Sequence, residues 1–238
     1  MVSNVIDYIT PTSTGNASDF GDLSVARSSP AACSNDTRAV IGGGYHGNHP
    51  EYYSNTIDYV TIASTGNASD FGNLTGSRRY PKATASTTYG YFAGGYDTSN
   101  NLVNNIDYIT IASTGNASDF GDLTENSING GGGASSTRGI FAAGRHGDGN
   151  GYNMIEYITF STSGNATDFG DLAGDDRHSG GLASSKTVCL IMGGYRSSYY
   201  NDINKIIIAS TGNATDFGDL TNAPYNVGGV SNGHGGLA

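Results

Sequence analysis

The chain has 238 residues, of which 37 are glycine, with a formal charge of −10 and only 13% charged residues. That length suits one or two domains, and no apolar run approaches the roughly 18 residues of a membrane helix, so no spanning segment is expected. Eight Arg and three Lys scattered among 21 acids form no basic stripe for phosphates, which argues against nucleic acid as a partner.

Leu, Ile, Val and Phe contribute 43 residues, a share close to that of disordered chains. Sixteen tyrosines and a strict repeat argue instead for order. The Gly-Asn pair recurs at Gly15, Gly66, Gly115, Gly164 and Gly212, at spacings of 51, 49, 49 and 48, so 1–238 reads as one domain of five repeats. The opening MVSNVIDYIT already lies inside a repeat and has no basic segment followed by an apolar core, so no signal peptide is expected. The second copy shows the whole unit: IDYVTIASTGNASDFGNLT (57 to 75), an Arg-bearing link, KATASTT (82 to 88), YGYFAGGY (89 to 96), then a variable polar loop.

Helix caps and 3.6-residue periodicity are missing, whereas short runs of Ile, Val, Tyr, Thr and Phe are bounded by Gly, Asn, Asp and Ser. Four strands per copy are predicted: a, the small-residue run; b, GYFAGG-like; c, IDYITI-like; and d, DFGDL-like. Strand c carries apolar or aromatic residues on both faces, Ile57 and Tyr59 on one, Val60 and Ile62 on the other. Such a sheet must be covered on both sides. Four strands in about 50 residues fit a propeller blade packed between two neighbours. The expected fold is an all-β, five-bladed β-propeller of four-stranded antiparallel blades.

If strand a lines the axis, it must be small, and it is small in every copy: Ala31, Ala32 and Cys33; Ala83 and Ala85; Gly130 to Ala134; Gly180, Gly181 and Ala183; Gly228 and Gly229. The chain starts in strand c (Val5 to Thr10) and ends within strand b (Gly235 to Ala238), so the ring would close by N-terminal c and d joining C-terminal a and b. That last strand b stops before the double Gly of the second and fourth copies, which leaves a minimal ring and a piece of a longer array both open. Cys33 and Cys189 fall at different places in their repeats, so they read as small buried hydrophobes rather than a disulfide.

The acidity is local features multiplied. Nine acids lie in the DFGD-like motifs, and Asp7, Asp58, Asp107 and Glu156 share another repeated position. The DFG triplet without H-R-D or V-A-I-K partners is not a kinase signature; Phe would fill space between blades while Asp and Asn supply turn hydrogen bonds. The N-A-S/T triplets at Asn16, Asn67, Asn116, Asn165 and Asn213 read as turns with a positive-φ Gly rather than glycosylation sites. The stretch Asn16 to Asp22 lacks the spacing of a calcium loop. His46 and His49 stand as H-x-x-H, with His146 corresponding to His46, too few ligands for a transition-metal site. Neither G-x-S-x-G nor a phosphate loop occurs, so no catalytic residue, metal or cofactor is expected.

At FAGGYDTSNNLVNNIDYITI, with Gly94-Gly95, the following Tyr-bearing strand and positions like Phe71 and Arg78, the repeat resembles the kelch-type propeller motif over nearly the whole chain. It departs from that family in having no Trp, a role that falls to Phe20, Phe71, Phe120, Phe169 and Phe217, and in Ala143-Gly144 replacing the double Gly. The IASTGNASDFGDLT units also resemble kelch-like repeats of structural and fibre proteins of tailed bacteriophages, particularly marine ones. That resemblance implies a virion appendage assembled in the host cytoplasm; the kelch resemblance alone implies a cytoplasmic interaction scaffold.

The copies differ mainly in two places. The b to c loops read YHGNHPEYYSN (45 to 55), YDTSNNLVNN (96 to 105), RHGDGNGYNM (145 to 154) and YRSSYYNDIN (195 to 204), and the d to a links vary too. In an up-and-down blade both connections emerge on one face. That face is rich in Tyr, Ser, Asn, Gly, Arg and His, the make-up of adaptable recognition loops. Candidate ligand contacts are Tyr45, His46, Tyr52, Tyr53, Tyr96, Asp97, Arg145, His146, Tyr152, Tyr195, Arg196, Tyr199 and Tyr200. The expected partner is a surface glycan, a host receptor or another virion protein; an unliganded, purely structural role and exchange of repeats between copies remain alternatives.

Overall fold

The computed structural model describes residues 2–47, 52–146, 153–173, 180–195, 198–224 and 227–231. Among these it is all-β, with 18 strands and no helix. The first two, β1 (Ser3–Tyr8) and β2 (Ser18–Arg27), form a two-stranded sheet. Four four-stranded sheets follow in chain order, each antiparallel with sequential neighbours. They comprise β3 (Ala31–Ser34), β4 (Arg38–Gly42), β5 (Thr56–Thr61) and β6 (Ser69–Asn73); β7 (Lys82–Ala85), β8 (Tyr89–Ala93), β9 (Asn105–Thr110) and β10 (Ser118–Asp122). The third holds β11 (Gly131–Ala134), β12 (Arg138–Ala142), β13 (Met154–Thr159) and β14 (Thr167–Asp171); the fourth β15 (Gly181–Ser184), β16 (Val188–Tyr195), β17 (Tyr199–Ile207) and β18 (Thr215–Asp219). Strands a to d thus lie where the repeat puts them, in a propeller-like arrangement. No helix is long and apolar enough to cross a membrane among the described residues.

The cores lie between sheets, because each sheet is apolar on both faces. Val40, Ile57 and Phe71 of the first four-stranded sheet pack with Phe92 and Ile109 of the second; Tyr91, Ile106 and Phe120 of the second join Phe141 and Ile158 of the third; Ile140, Ile155 and Phe169 of the third join Ile191 and Ile206 of the fourth. The DFG phenylalanine meets the strand c tyrosine edge-on in four repeats, Tyr8–Phe20, Tyr59–Phe71, Tyr108–Phe120 and Tyr157–Phe169, at 5.8 to 6.0 Å between centroids. Each buried Phe is worth about 2 to 3 kcal/mol in transfer free energy.

The same triplet is a β-bulge. In each c–d pair the register slips at this position, as between Ile57 and Asp58, and in four repeats the motif's Asp accepts a hydrogen bond from the Gly two residues on. Gly72 has φ +142°, and a Cβ there would strike the Gly115 carbonyl. The reason is docking. Gly115 and Ala117 donate their N–H groups to Phe71 and Asn73, and Asn73 N–H donates back to the Asn116 side chain at 3.0 Å. The turns at Gly66, Gly164 and Gly212 seat on β2, β10 and β14 in the same way. The Asn of each of these four turns therefore bonds to the preceding repeat, and not merely within its own turn.

Three of the four repeated acids, Asp58, Asp107 and Glu156, lie in the interior. Asp58 takes Arg27 at 2.9 Å and the Ser24 hydroxyl at 2.6 Å; Asp107 takes Arg78 at 2.7 Å and the Thr75 hydroxyl at 2.7 Å. All four ionic side chains are essentially sealed from solvent. Burial pulls the Arg27 and Arg78 guanidinium pKa values down, and the facing aspartates oppose that. The third interface is rebuilt: Ser127 stands where Arg27 and Arg78 stand, Glu156 replaces Asp, and buried Lys82 supplies the cation. Gly130 stands where the first two links have Pro30 and Pro81, and a Cβ there would run into the Lys82 side chain. Burial lowers the Lys82 pKa to about 8 against the pull of Glu156.

The small strands converge on one axis. A cavity there is walled by Ala31, Ala32, Ala83, Gly131, Gly132, Gly181, Leu182, Gly228 and Gly229, drawn from all five repeats. Space decides their size, since a Cβ at Gly132 would overlap the Ala83 carbonyl. Cys189 is buried, and its thiol is pushed up to about 12 by burial; both cysteines are free.

The seam between the last and first repeats differs from the other interfaces. Phe217 is 56% exposed where its counterparts are at most 9% exposed. Val5 of β1 and Ile9 just after it stand exposed, and Ile62, expected to be covered, is exposed while its equivalents Ile111 and Ile208 are fully buried. The C-terminal segment Val227 to Ser231 lies along the axis without forming a strand, and the predicted strand b at 235–238 is outside the described residues.

Candidate binding face

Isolated β-bridges join Ser28 to Tyr45, Arg79 to Tyr96 and Ile128 to Arg145. Each ties a d to a link to the end of strand b, so links and b to c loops emerge on one face. The opposite face carries the uniform a to b turns, closed by Asn35, Ser86, Ser135 and Ser185, and the uniform c to d turns. Variation and uniformity are thus segregated by the up-and-down topology.

The densest feature of the variable face surrounds Arg79. Its guanidinium carbon lies 4.9 Å from the Tyr53 ring centroid, 5.2 Å from Tyr96, 5.3 Å from Tyr80 and 5.9 Å from Tyr45. Tyr45 and Tyr52 stack almost parallel, with 5.9 Å between centroids, and Tyr52 is exposed. Tyr53 OH donates to the Asn100 side chain, which Arg79 Nη2 approaches at 3.5 Å. The structure therefore brings together Tyr45, Tyr52, Tyr53 and Tyr96 from two loops, around an arginine that sequence reasoning missed. A signal was present: Arg78-Arg79 is a doubled arginine in a link where the first copy has Arg27-Ser28. The first residue of each pair belongs to the interior and the second to the face.

The remaining candidates are spread out. Tyr195 and Tyr199 pair at 5.1 Å at the tip of the β16–β17 hairpin, with Tyr200 beside them opposite Gly194. His146 lies 3.5 Å from Glu125, and the backbones of Arg145 and Ile128 exchange N–H to carbonyl hydrogen bonds. His46 N–H donates to the Tyr52 carbonyl. The Asp97 carboxylate accepts from the Ser99 and Asn101 N–H groups, so it shapes its own loop. Tyr152, Arg196 and His49 lie outside the described residues. Among the described residues, no group of three His, Cys, Asp or Glu side chains is placed to hold a metal.

At the axial mouth of this face, Ser29, Tyr80 and Asn129 hold equivalent positions with φ between 55° and 59°. Tyr80 N–H donates to the Ser29 carbonyl and Asn129 N–H to the Tyr80 carbonyl, a backbone belt linking successive repeats. Left-handed backbone at non-glycine residues is strained by about 1 kcal/mol or more, and the belt holds it in place. No protein-family model and no curated protein matches the chain.

Proposed function

We propose that this chain is a five-bladed β-propeller, closed by its N-terminal strands c and d joining the C-terminal a and b segments, that serves as a non-enzymatic binding module. Its role is recognition of a surface glycan or receptor by the Tyr-rich variable face, in the setting of a phage virion appendage. The observation that carries the binding reading is the gathering of the variable loops and links on one face, with a tyrosine cluster assembled from two repeats. Five repeats contributing small segments to one axis support the ring. The phage setting rests on the resemblance of the IASTGNASDFGDLT units alone.

The test is a glycan-array screen of the purified chain beside the quadruple variant Tyr52→Ala, Tyr53→Ala, Tyr199→Ala, Tyr200→Ala. Binding present in the wild type and lost in the variant, with the fold intact by circular dichroism, is the expected result. Binding that survives all four substitutions would overturn the assignment of the face. A second reading, a structural virion component, is favoured by the exposed Phe217, Val5 and Ile9 at the seam. It predicts concentration-dependent assembly of the purified chain and silence on the array.

A further inference from the structure

Three arginines of neighbouring links can be compared directly. Arg27 and Arg78 each meet a buried aspartate within 3 Å. Arg79 meets no carboxylate among the described residues, although the chain carries 21 acids against 11 bases. Its Nε is buried without a hydrogen-bond acceptor, and its Nη2 reaches only Asn100, at 3.5 Å, the limit of a useful bond. Four tyrosine rings compensate the charge through their faces, but ring faces do not satisfy the in-plane N–H donors of a guanidinium. A half-buried, charged guanidinium that meets no carboxylate among the described residues is matched by one class of group, a planar oxyanion that accepts two parallel hydrogen bonds. Beside it stand the stacked Tyr45–Tyr52 pair, whose outer ring is 43% exposed, and the Asn100 amide. Those are the surfaces on which a sugar ring and its hydroxyls are held.

We propose that the Arg79 cluster is a subsite for a carboxylate-bearing sugar: the guanidinium takes the carboxylate, Tyr52 takes the apolar face of the ring, and Asn100 takes a hydroxyl. The proposal rests on the recognition reading above and names its ligand class. The neighbouring links carry Ser28 and Ile128 at the position of Arg79, so the subsite occurs once in the described residues rather than once per repeat.

The experiment uses the full chain on an array of carboxylated, sulfated and neutral glycans. Calorimetry follows with a hexuronic-acid oligosaccharide and with the same oligosaccharide after reduction of its carboxyls to alcohols. The wild type is expected to favour the carboxylated form by roughly tenfold or more. Arg79→Gln should abolish that preference, and Arg79→Lys, which keeps the charge but loses the planar fork, should lose most of it. Both variants are checked by thermal unfolding, and Arg79→Lys keeps the test valid should Arg79→Gln fail to fold. Equal binding of the carboxylated and reduced forms by the wild type overturns the subsite while leaving glycan recognition standing. A preference that survives in Arg79→Gln overturns it too. Binding confined to sulfated glycans, or to acidic peptides with none to sugars, overturns the ligand class. Silence across the array with an intact fold removes the recognition reading itself.

Discussion

Five Gly-Asn turns and five DFG strands are nearly identical in sequence, yet four of the pairs are docked and one is not. Gly72 lies under the Gly115 turn so closely that a Cβ would collide with its backbone, whereas a Cβ at Gly218 would meet nothing within 4 Å. Phe71 is buried and Phe217 exposed for the same reason. A repeat here carries half an interface on each side, and burial arrives only with a neighbour. The seam shows what the unit looks like without one, with Val5, Ile9, Ile62 and Phe217 left toward solvent.

The sharpest way to break this contrast is at the buried ion pairs. Asp107→Ala leaves Arg78 charged and sealed, and should cost about 3 to 5 kcal/mol. Asp7→Ala, at the exposed equivalent on β1, should cost less than about 0.5 kcal/mol. Chemical denaturation of the two variants measures the difference. Glycine substitution probes the same point from the outer edge. Gly72→Ala must displace the Gly115 turn, losing three hydrogen bonds at about 1 kcal/mol each besides the backbone strain. Gly218→Ala should show the strain alone, about 1 kcal/mol. Equal losses would mean that the Gly15 turn seats on β18.

Lys82 gives a prediction of opposite sign. Its pKa is lowered from 10.5 to about 8, so between those values the unfolded chain holds the proton more tightly than the folded one. Stability therefore rises with pH across that window, and the cost of burying the charge is felt in full below about pH 8. Lys82→Met should stabilise the protein at pH 7 by up to about 3 kcal/mol, with the gain fading toward pH 10.5. A destabilised Lys82→Met would show that the Glu156 partnership outweighs the burial. The smallest effect is expected at the turns. Asn116→Ala should cost about 1 kcal/mol through loss of its bond to Asn73, and Asn16→Ala almost nothing, by thermal unfolding of both.

Strand positions were legible because they depend on local order. The runs KATA, YGYFA and NIDYIT become β7, β8 and β9, and the small residues lie on the axis where ring geometry needs them. The segregation of variable loops onto one face was legible as well, since it follows from strand count and alternation. Less accessible were roles that need a second repeat to be seen. Asp58 and Asp107 read only as a repeated acidic position, because nothing in IDYVT reveals that an arginine from the preceding link comes to lie within 3 Å. The four linked changes Lys82, Ser127, Gly130 and Glu156 were visible letter by letter, but their common cause lies in one buried site.

By itself, the order of residues determined the repeat, its four strands, the small inner strand and the face that varies, all properties of backbone propensity and side-chain size at fixed spacing. The tertiary structure alone decided which of two adjacent arginines is sealed against an aspartate and which is ringed by tyrosines. It also decided which of five nearly identical turns are docked. Those outcomes depend on residues about 30 to 50 positions apart meeting at one point, and hydrogen bonds and ion pairs act through distance in space rather than along the chain.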